Sequence, residues 1–363
     1  MIAVDAMGGD YAPQAIVYGA FNAARRGISV SLFGDSVQIT DLLEQLARTY
    51  KLSSWKILPI RLVHASQKIS MHDEPSRAVL KKNDSSLVKA VKAVADGHAS
   101  AIVSAGNSGA AMVAGTLLLG RVEGVLRPAL GDFLPTKQGS VFCIDLGANT
   151  DCKPEYLEQF AVMGHVYVHL FNGIDRPRIG LLSNGAEPYK GSLQVKQSYD
   201  RLKDSTLNFV GNIESRDMFD DHVDVVVCDG FVGNVLLKGI QGTARAMVAW
   251  IDQARKGNWL YSLGLFLSKG LFRSLKAKID YAKKGGALLL GVNHPLIIAH
   301  GCSNAEAIEH AIVFAHQTVD QKRIVRFNQI LVGMLNMRKN ADSVLHCPVK
   351  AHGMHSIHQS RDL

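Results

Sequence analysis

The stretch VFCIDLGANTD, residues 141–151, decides how the chain folds. Four apolar residues run into an aspartate and a glycine, as in a strand buried on both faces that leaves its sheet through a tight turn. A helix-like stretch follows at 156–170. The same order recurs in both directions along the chain. IAVD (2–5), ISVSLFG (28–34), AIVSAG (101–106), RIGLLSNG (178–185), VDVVVCDG (223–230) and ALLLGV (287–292) read as further strands, and 85–95, 110–119 and 234–254 as further helices. Alternating strand and helix makes βαβ units, so the expected fold is an α/β/α sandwich around a mainly parallel sheet. No solenoid-period repeat occurs and no composition break marks a boundary. One two-lobed domain is expected over 1–337.

Composition narrows the function classes. The 363 residues are 47% hydrophobic and 20% charged, which excludes a disordered or fibrous chain. The 33 glycines and 10 prolines fit tight α/β loops better than linkers. A net charge of +8 makes an anionic partner worth seeking. Five scattered cysteines (Cys143, Cys152, Cys228, Cys302, Cys347) with no CxxC pair suggest a reducing compartment and no structural zinc. MIAVDAMGGD has no basic region followed by an apolar core, so no secretory signal is expected. No run of 18 uncharged apolar residues suggests a membrane span. A cytoplasmic protein is expected.

The chemistry sits where the glycines fall. MGGD (7–10), SAGNSGA (104–110), DLGANTD (145–151), SNGAEPYKG (183–191) and DGFVGN (229–234) each follow an expected strand and precede an expected helix. Loops at the carboxyl ends of parallel strands meet in a ligand crevice. Their backbone N–H groups and the following helix favour an anion, phosphate above all. The candidate binding residues are Gly8, Gly9, Asp10, Gly106, Asn107, Ser108, Gly109, Asn149, Gly230 and Gly233. Lys190 is the one lysine inside these loops, and its ammonium suits phosphate as a point charge. It also reads as an exposed lysine at a helix start. Asn234 either donates to a ligand or caps the helix it enters, and Asn107 and Ser108 pose the same choice. Asp5, Asp10, Asp145, Asp151 and Asp229 stand at strand ends, where they either bind magnesium or orient neighbouring N–H groups. GxxxxGK[ST] is absent, as is GxGxxG after the first strand, which disfavours a kinase or a standard dinucleotide enzyme. No GxSxG elbow supports covalent catalysis, and Cys143 and Cys228 lie in apolar strands.

Seven motifs in this order resemble the PlsX family of phosphate acyltransferases. They are VDAMGGD (4–10), DEPSRAV with DSS (73–86), VSAGNSGA (103–110), DLGANTDC (145–152), the element from Glu187 to Gly191, CDGFVGN (228–234) and GALLLGV with AHG (286–301). The resemblance covers residues 2 to about 330. It implies the fold of isocitrate and isopropylmalate dehydrogenases and phosphotransacetylases, and a homodimer. It also implies formation of acyl phosphate from long-chain acyl-acyl carrier protein and inorganic phosphate, an early step of bacterial phospholipid synthesis. No cofactor, metal or nucleic acid is implied. Lys190 and Asn234 are then the catalytic candidates, sharing phosphate positioning and oxyanion stabilisation in either assignment. Where many relatives read GEEEGKG, this chain has GAEPYKG (185–191), which removes two acids and leaves Glu187 and Lys190. Competing readings are a short-chain phosphate acetyltransferase, a decarboxylating dehydrogenase, and a non-catalytic scaffold for membrane and acyl carrier protein.

Residues 245–284 hold nine Lys/Arg against two acids, almost the whole excess charge. Within them, Leu260, Leu263, Leu267 and Leu271 share one helical face, and Lys269, Arg273 and Lys276 form a basic stripe. Peripheral docking on anionic lipid is expected, near a membrane glycerol-3-phosphate acyltransferase, with Gly264 and Gly270 bending the segment into a hairpin. The same patch also suits the acidic carrier protein. The polar tail 338–363, with His346, His352, His355 and His358, is expected to be disordered.

Overall fold

The computed structural model describes residues 1–257, 259–271, 285–319 and 323–345. Its strands are β1 (Ile2–Asp5), β2 (Val30–Gly34), β3 (Ile60–His64), β4 (Ala101–Ser104), β5 (Ala129–Pro135), β6 (Ser140–Ile144), β7 (Ile179–Leu182), β8 (Phe209–Ile213), β9 (Val225–Val227), β10 (Ala287–Leu290) and β11 (Leu296–Ile298). Among the described residues they form one sheet in the order β3-β2-β1-β4-β11-β10-β5-β6-β9-β7-β8. The apolar runs belong to strands covered on both faces. In β9, Val225 and Val227 join the core on one face while Val226 joins the core on the other. In β4, Ala101 and Val103 part from Ile102 in the same way.

Helices α1 (Gln14–Arg25), α2 (Ser36–Thr49), α6 (Pro154–Asn172), α10 (Ala305–Val319) and α11 (Arg323–Leu345) cover the first face. Helices α3 (Pro75–Lys81), α4 (Ser86–Ala95), α5 (Ser108–Ala114) and the first turns of α8 (Gly230–Gly257) cover the second. Helix α7 (Leu193–Lys203) packs on α6 and follows β7, while α9 (Trp259–Leu267) continues from α8. The architecture is the expected α/β sandwich with a mainly parallel sheet.

Strand direction departs from the simplest expectation. β3, β2, β1, β4 and β11 are parallel, but β10 is antiparallel to both β11 and β5, and β5 is antiparallel to β6. β6, β9, β7 and β8 are again parallel with one another. Three reversals in succession leave this second block running opposite to the first. The glycine loops after β1 and β4 therefore leave one edge of the sheet, and those after β6, β7 and β9 leave the other.

Two boundaries also differ. The DGFVGN loop is shorter than expected, because α8 begins at Gly230 and takes Phe231–Asn234 into its first turns. At the far end, α11 runs through Leu345 rather than ending before the tail at 338. Arg338 holds it down: its Nε donates to Glu158 Oε1 of α6 at 2.5 Å, while Arg201 Nε of α7 donates to Glu158 Oε2 at 2.7 Å. The tail histidines lie outside the described residues.

Candidate active site

Two buried carboxylates organise the two groups of loops. Asp5 ends β1 and accepts Ser104 Oγ of β4 at 2.8 Å. Burial pushes its carboxyl up from the ordinary value, while the Ser86 and Ser104 hydroxyls and the Met7 N–H pull it back. Around it the 7–10 and 104–109 loops close tightly. A side chain at Gly8 would stand 2.5 Å from Asp5 Oδ2 and 2.8 Å from Gly106 Cα, so only glycine fits. Gly9 lies against Ala105, and Asp10 N donates to Gly301 O at 2.8 Å.

Asp145 plays the matching part after β6. Its Oδ1 accepts the N–H groups of Leu130, Gly147 and Ala148, and its Oδ2 accepts Asn149 N and Nδ2, all at 2.8–3.0 Å. Burial again pushes the carboxyl up and these donors pull it back. Of the two roles open to the strand-end aspartates, Asp5 and Asp145 take that of orienting donors. No group of three or more potential metal ligands occurs among the described residues.

The amide side chains divide. Asn107 is a cap and a strap: Oδ1 accepts Ala110 N at 3.0 Å and Nδ2 donates to Asp73 O at 3.0 Å. Ser108 and Gly109 start α5 beside it, with Gly109 against Pro75. Asn149 likewise spends its amide, donating to Pro128 O at 2.8 Å and to Asp145, while its carbonyl accepts Gly230 N at 2.7 Å. Asn234 is no cap. Asp229 has that task, accepting Val232 N at 2.9 Å. Asn234 lies in the second turn of α8, where its Nδ2 reaches Leu146 O only at 3.4 Å. It presses on Gly147, whose φ is +140° and where a Cβ would meet Nδ2 at 2.7 Å. One amide N–H of Asn234 thus stays weakly engaged at the junction of the 145–149 and 228–233 segments, where Gly233 is also buried.

Lys190 is half-buried in the loop after β7. Its stem lies along Gly185, its Nζ is 5.8 Å from the Tyr189 ring centroid, and among the described residues it has no ion pair. A cavity of about 620 Å³ separates this loop from α8, with Ser183, Gly191 and Ser192 on one wall and Asp229, Phe231 and Val235 on the other. The structure therefore sets the loop of Lys190 and the helix of Asn234 across one cavity, but neither side chain lines it and no hydrogen bond joins the two. Ser183 Oγ is also buried here, with no hydrogen-bond partner among the described residues, and no sequence motif marks it.

Helix α8 joins the two edges of the sheet. Asn234, Lys238, Gln241 and Arg245 recur at helical spacing along one face, and about 16 Å of helix separates Gly230 from Gln241. At the far end, the Gln241 amide nitrogen lies 3.3 Å from His300 Nε2, next to the Gly301 carbonyl that accepts Asp10. Desolvation, then Arg245 and Lys238, push the His300 imidazole below its ordinary value. The three-and-four spacing of this polar stripe was the available signal for these residues.

Thiol chemistry finds no support at the site. Burial pushes the Cys143 and Cys228 thiols far up and Cys152 up to about 12, so all three are protonated at neutral pH.

Leu260, Leu267, Lys269 and Leu271 are exposed, Leu267 to 75%. α9 passes through Leu263 and Gly264 without the expected bend at Gly264, and a turn interrupts the helix at Ser268. Arg273 and Lys276 lie outside the described residues. Among the described residues, no helix is long and apolar enough to cross a membrane.

The profile of a family described as fatty acid synthesis protein matches residues 1–326. A phosphate acyltransferase of Pelotomaculum thermopropionicum is 45% identical over 322 residues, 88% of this chain and 92% of that one. One from Geotalea daltonii is 46% identical over 317 residues, 87% and 90% of the two chains. Among solved structures, a phosphotransacetylase from Streptococcus pyogenes superposes with a TM-score of 0.57 at 17% identity, covering 88% of this chain and 94% of its own. A branched-chain phosphotransacylase from Enterococcus faecalis gives 0.54 at 17%, covering 88% and 100%. These two likenesses establish the fold.

Proposed function

This chain belongs to the phosphate acyltransferase family and is an acyltransferase acting with phosphate, and from that premise we propose that it converts long-chain acyl-acyl carrier protein and inorganic phosphate into acyl phosphate. A phosphate oxygen attacks the thioester carbonyl carbon, the C–S bond breaks, and the phosphate proton passes to the departing thiolate. Acyl phosphate and the carrier thiol are the products. The nucleophile is the substrate itself, so an enzyme whose buried thiols stay protonated loses nothing.

The observation that carries this reading is the cavity between the Lys190 loop and the Asn234 end of α8. An ammonium with no ion-pair partner among the described residues holds phosphate by charge, and a half-free amide meets the oxyanion that forms on the carbonyl. The thiolate is a competent leaving group, so no strong general acid is needed. The product is a lipid-destined anhydride that serves phospholipid synthesis through a membrane glycerol-3-phosphate acyltransferase. The exposed leucines of α9 and the basic charge around them suit a peripheral station on anionic lipid at the cytoplasmic face. The exposed Met247, Val248, Trp250 and Ile251 of α8 suit the interface of a homodimer.

Incubation with acyl-acyl carrier protein and labelled phosphate tests the reading. Labelled acyl phosphate is expected, and Lys190→Ala should raise the apparent KM for phosphate or lower kcat by at least about tenfold, near 1.4 kcal/mol. Transfer from acetyl-CoA with none from the carrier would instead favour a short-chain phosphate acetyltransferase. No labelled product from either donor would overturn the assignment.

A further inference from the structure

A second cavity, of about 890 Å³, is lined in part by the 145–149 segment, whose residues do not line the cavity beside the Lys190 loop. Ala148 and Asn149 form one of its walls, and Tyr156 is its neighbour on α6, as Leu157 is for the first cavity. The two cavities therefore flank the junction at which Asn234 is held. The volume falls in the range of small-molecule sites and far exceeds what a phosphate ion fills. Its walls mix apolar side chains, among them Met112, Val113, Leu117 and Leu126, with the polar Ser76, Thr116 and Asn149.

Two guanidinium groups join this lining. Arg121 and Arg127 are exposed on its solvent side, no carboxylate lines the cavity, and neither arginine has an ion pair among the described residues. Their loop is fixed before any ligand arrives. Arg121 Nη1 donates to Leu126 O at 2.6 Å, Leu126 N donates to Gln159 Oε1 at 2.8 Å, and Gln159 Nε2 donates to Gly124 O at 3.0 Å. Arg127 stands 5.9 Å from the Tyr156 ring centroid. The site thus offers a long cleft with both apolar and hydrogen-bonding walls, two exposed cations, and a wall beside the oxyanion candidate.

That order selects the ligand. Inorganic phosphate needs no apolar wall, and an acyl thioester by itself is neutral. A phosphopantetheine arm carries an anionic phosphodiester at one end, a long uncharged body, and the thioester at the other. We propose that this cleft receives the phosphopantetheine arm of the acyl donor, with Arg127 and Arg121 binding its phosphodiester and the thioester reaching the Ala148–Asn149 wall. The inference rests on the acyl-carrier reading above and deepens it by assigning the donor and inorganic phosphate to opposite sides of one junction.

Binding of two small probes to the full-length protein tests it without turnover. 4′-Phosphopantetheine should bind at least about tenfold more tightly than pantetheine, which lacks only the phosphate. Arg127→Gln should shrink that ratio to about twofold or less, and Arg127→Lys, which keeps the charge, should restore part of it. Kinetically, Arg127→Gln should raise KM for the acyl carrier substrate while KM for inorganic phosphate stays within about twofold. Equal binding of the two probes by the wild type, or an unchanged ratio in Arg127→Gln, would overturn the proposal. So would a rise in KM for inorganic phosphate alone, which would give the arginine to phosphate. If wild-type protein makes acyl phosphate while the probe ratio ignores Arg127, this inference fails and the proposed function stands. If no acyl phosphate forms, the function fails whatever the probes show.

Discussion

At the scale of single residues, the structure separates side chains of one type by what their atoms are already doing. Asn107 and Asn149 have their amide hydrogens committed to backbone carbonyls and to Asp145 at about 3 Å, whereas Asn234 has one long contact and stands at a junction. Asn234→Ala should therefore lower kcat by roughly 10²–10³ with a small change in KM for phosphate, since an oxyanion donor acts in the transition state. Because Asp229 caps α8, the same variant should keep its melting temperature, which a lost cap worth about 1 kcal/mol would depress. Unchanged kcat with a lower melting temperature in steady-state assays and calorimetry would turn Asn234 into a structural residue. The sequence could show that these asparagines follow strands. It could not show which of them spend their hydrogen bonds locally, because Asn149 answers to Pro128 and Asn107 to Asp73, partners far along the chain.

At the scale of elements, legibility followed local pattern. β1, β4, β6, β7 and β9 were visible because strands covered on both faces are short apolar runs, and their glycines closed them. β5 was not, since Asp132 and Pro135 interrupt ALGDFLP. β3 was missed because IRLVH mixes charge into an edge strand. β5 and β10 carry the reversals that send the second block of strands the other way; β5 went unseen and the run ALLLGV of β10 does not reveal its direction, so the split of the glycine loops between two edges was hidden. The end of α11 was hidden for another reason: 338–345 looks polar, yet Arg338 reaches a buried carboxylate in α6. Glu158 is almost fully buried between Arg338 and Arg201, so each arginine compensates a charge that water cannot. Arg338→Ala should lower unfolding stability by roughly 1–3 kcal/mol, the range for a hydrogen bond to a charged group. Denaturant titration would show this as a lower midpoint at the same slope, and an unchanged midpoint would mean that the last turns of α11 contribute nothing to the fold.

At the scale of the whole molecule, charge and apolar exposure coincide in one stretch of the sequence. The excess positive charge lies within 245–284, and the exposed Leu260, Phe266, Leu267 and Leu271 lie in the same segment. A water-facing stretch of this kind gains by burying its apolar side chains, and the nearby cations favour an anionic surface. Each basic residue near such a surface contributes about 1 kcal/mol, so binding should be strong at low ionic strength and fade as salt screens it. The proposed reaction, taking its donor from a soluble carrier and yielding an amphipathic acyl phosphate, would also gain from a catalyst resting where the product is consumed. Flotation with vesicles containing an anionic phospholipid provides the test. Wild-type protein should rise with the vesicles at low salt, much less in high salt, and little with neutral vesicles. The Leu260→Glu, Leu267→Glu double variant should stay at the bottom of the gradient while keeping its fold, because both side chains already face solvent in the isolated chain. If the variant also lost its oligomeric state in sedimentation, the leucines would belong to the contact between two copies, and if it still floated, the segment would not be the membrane anchor.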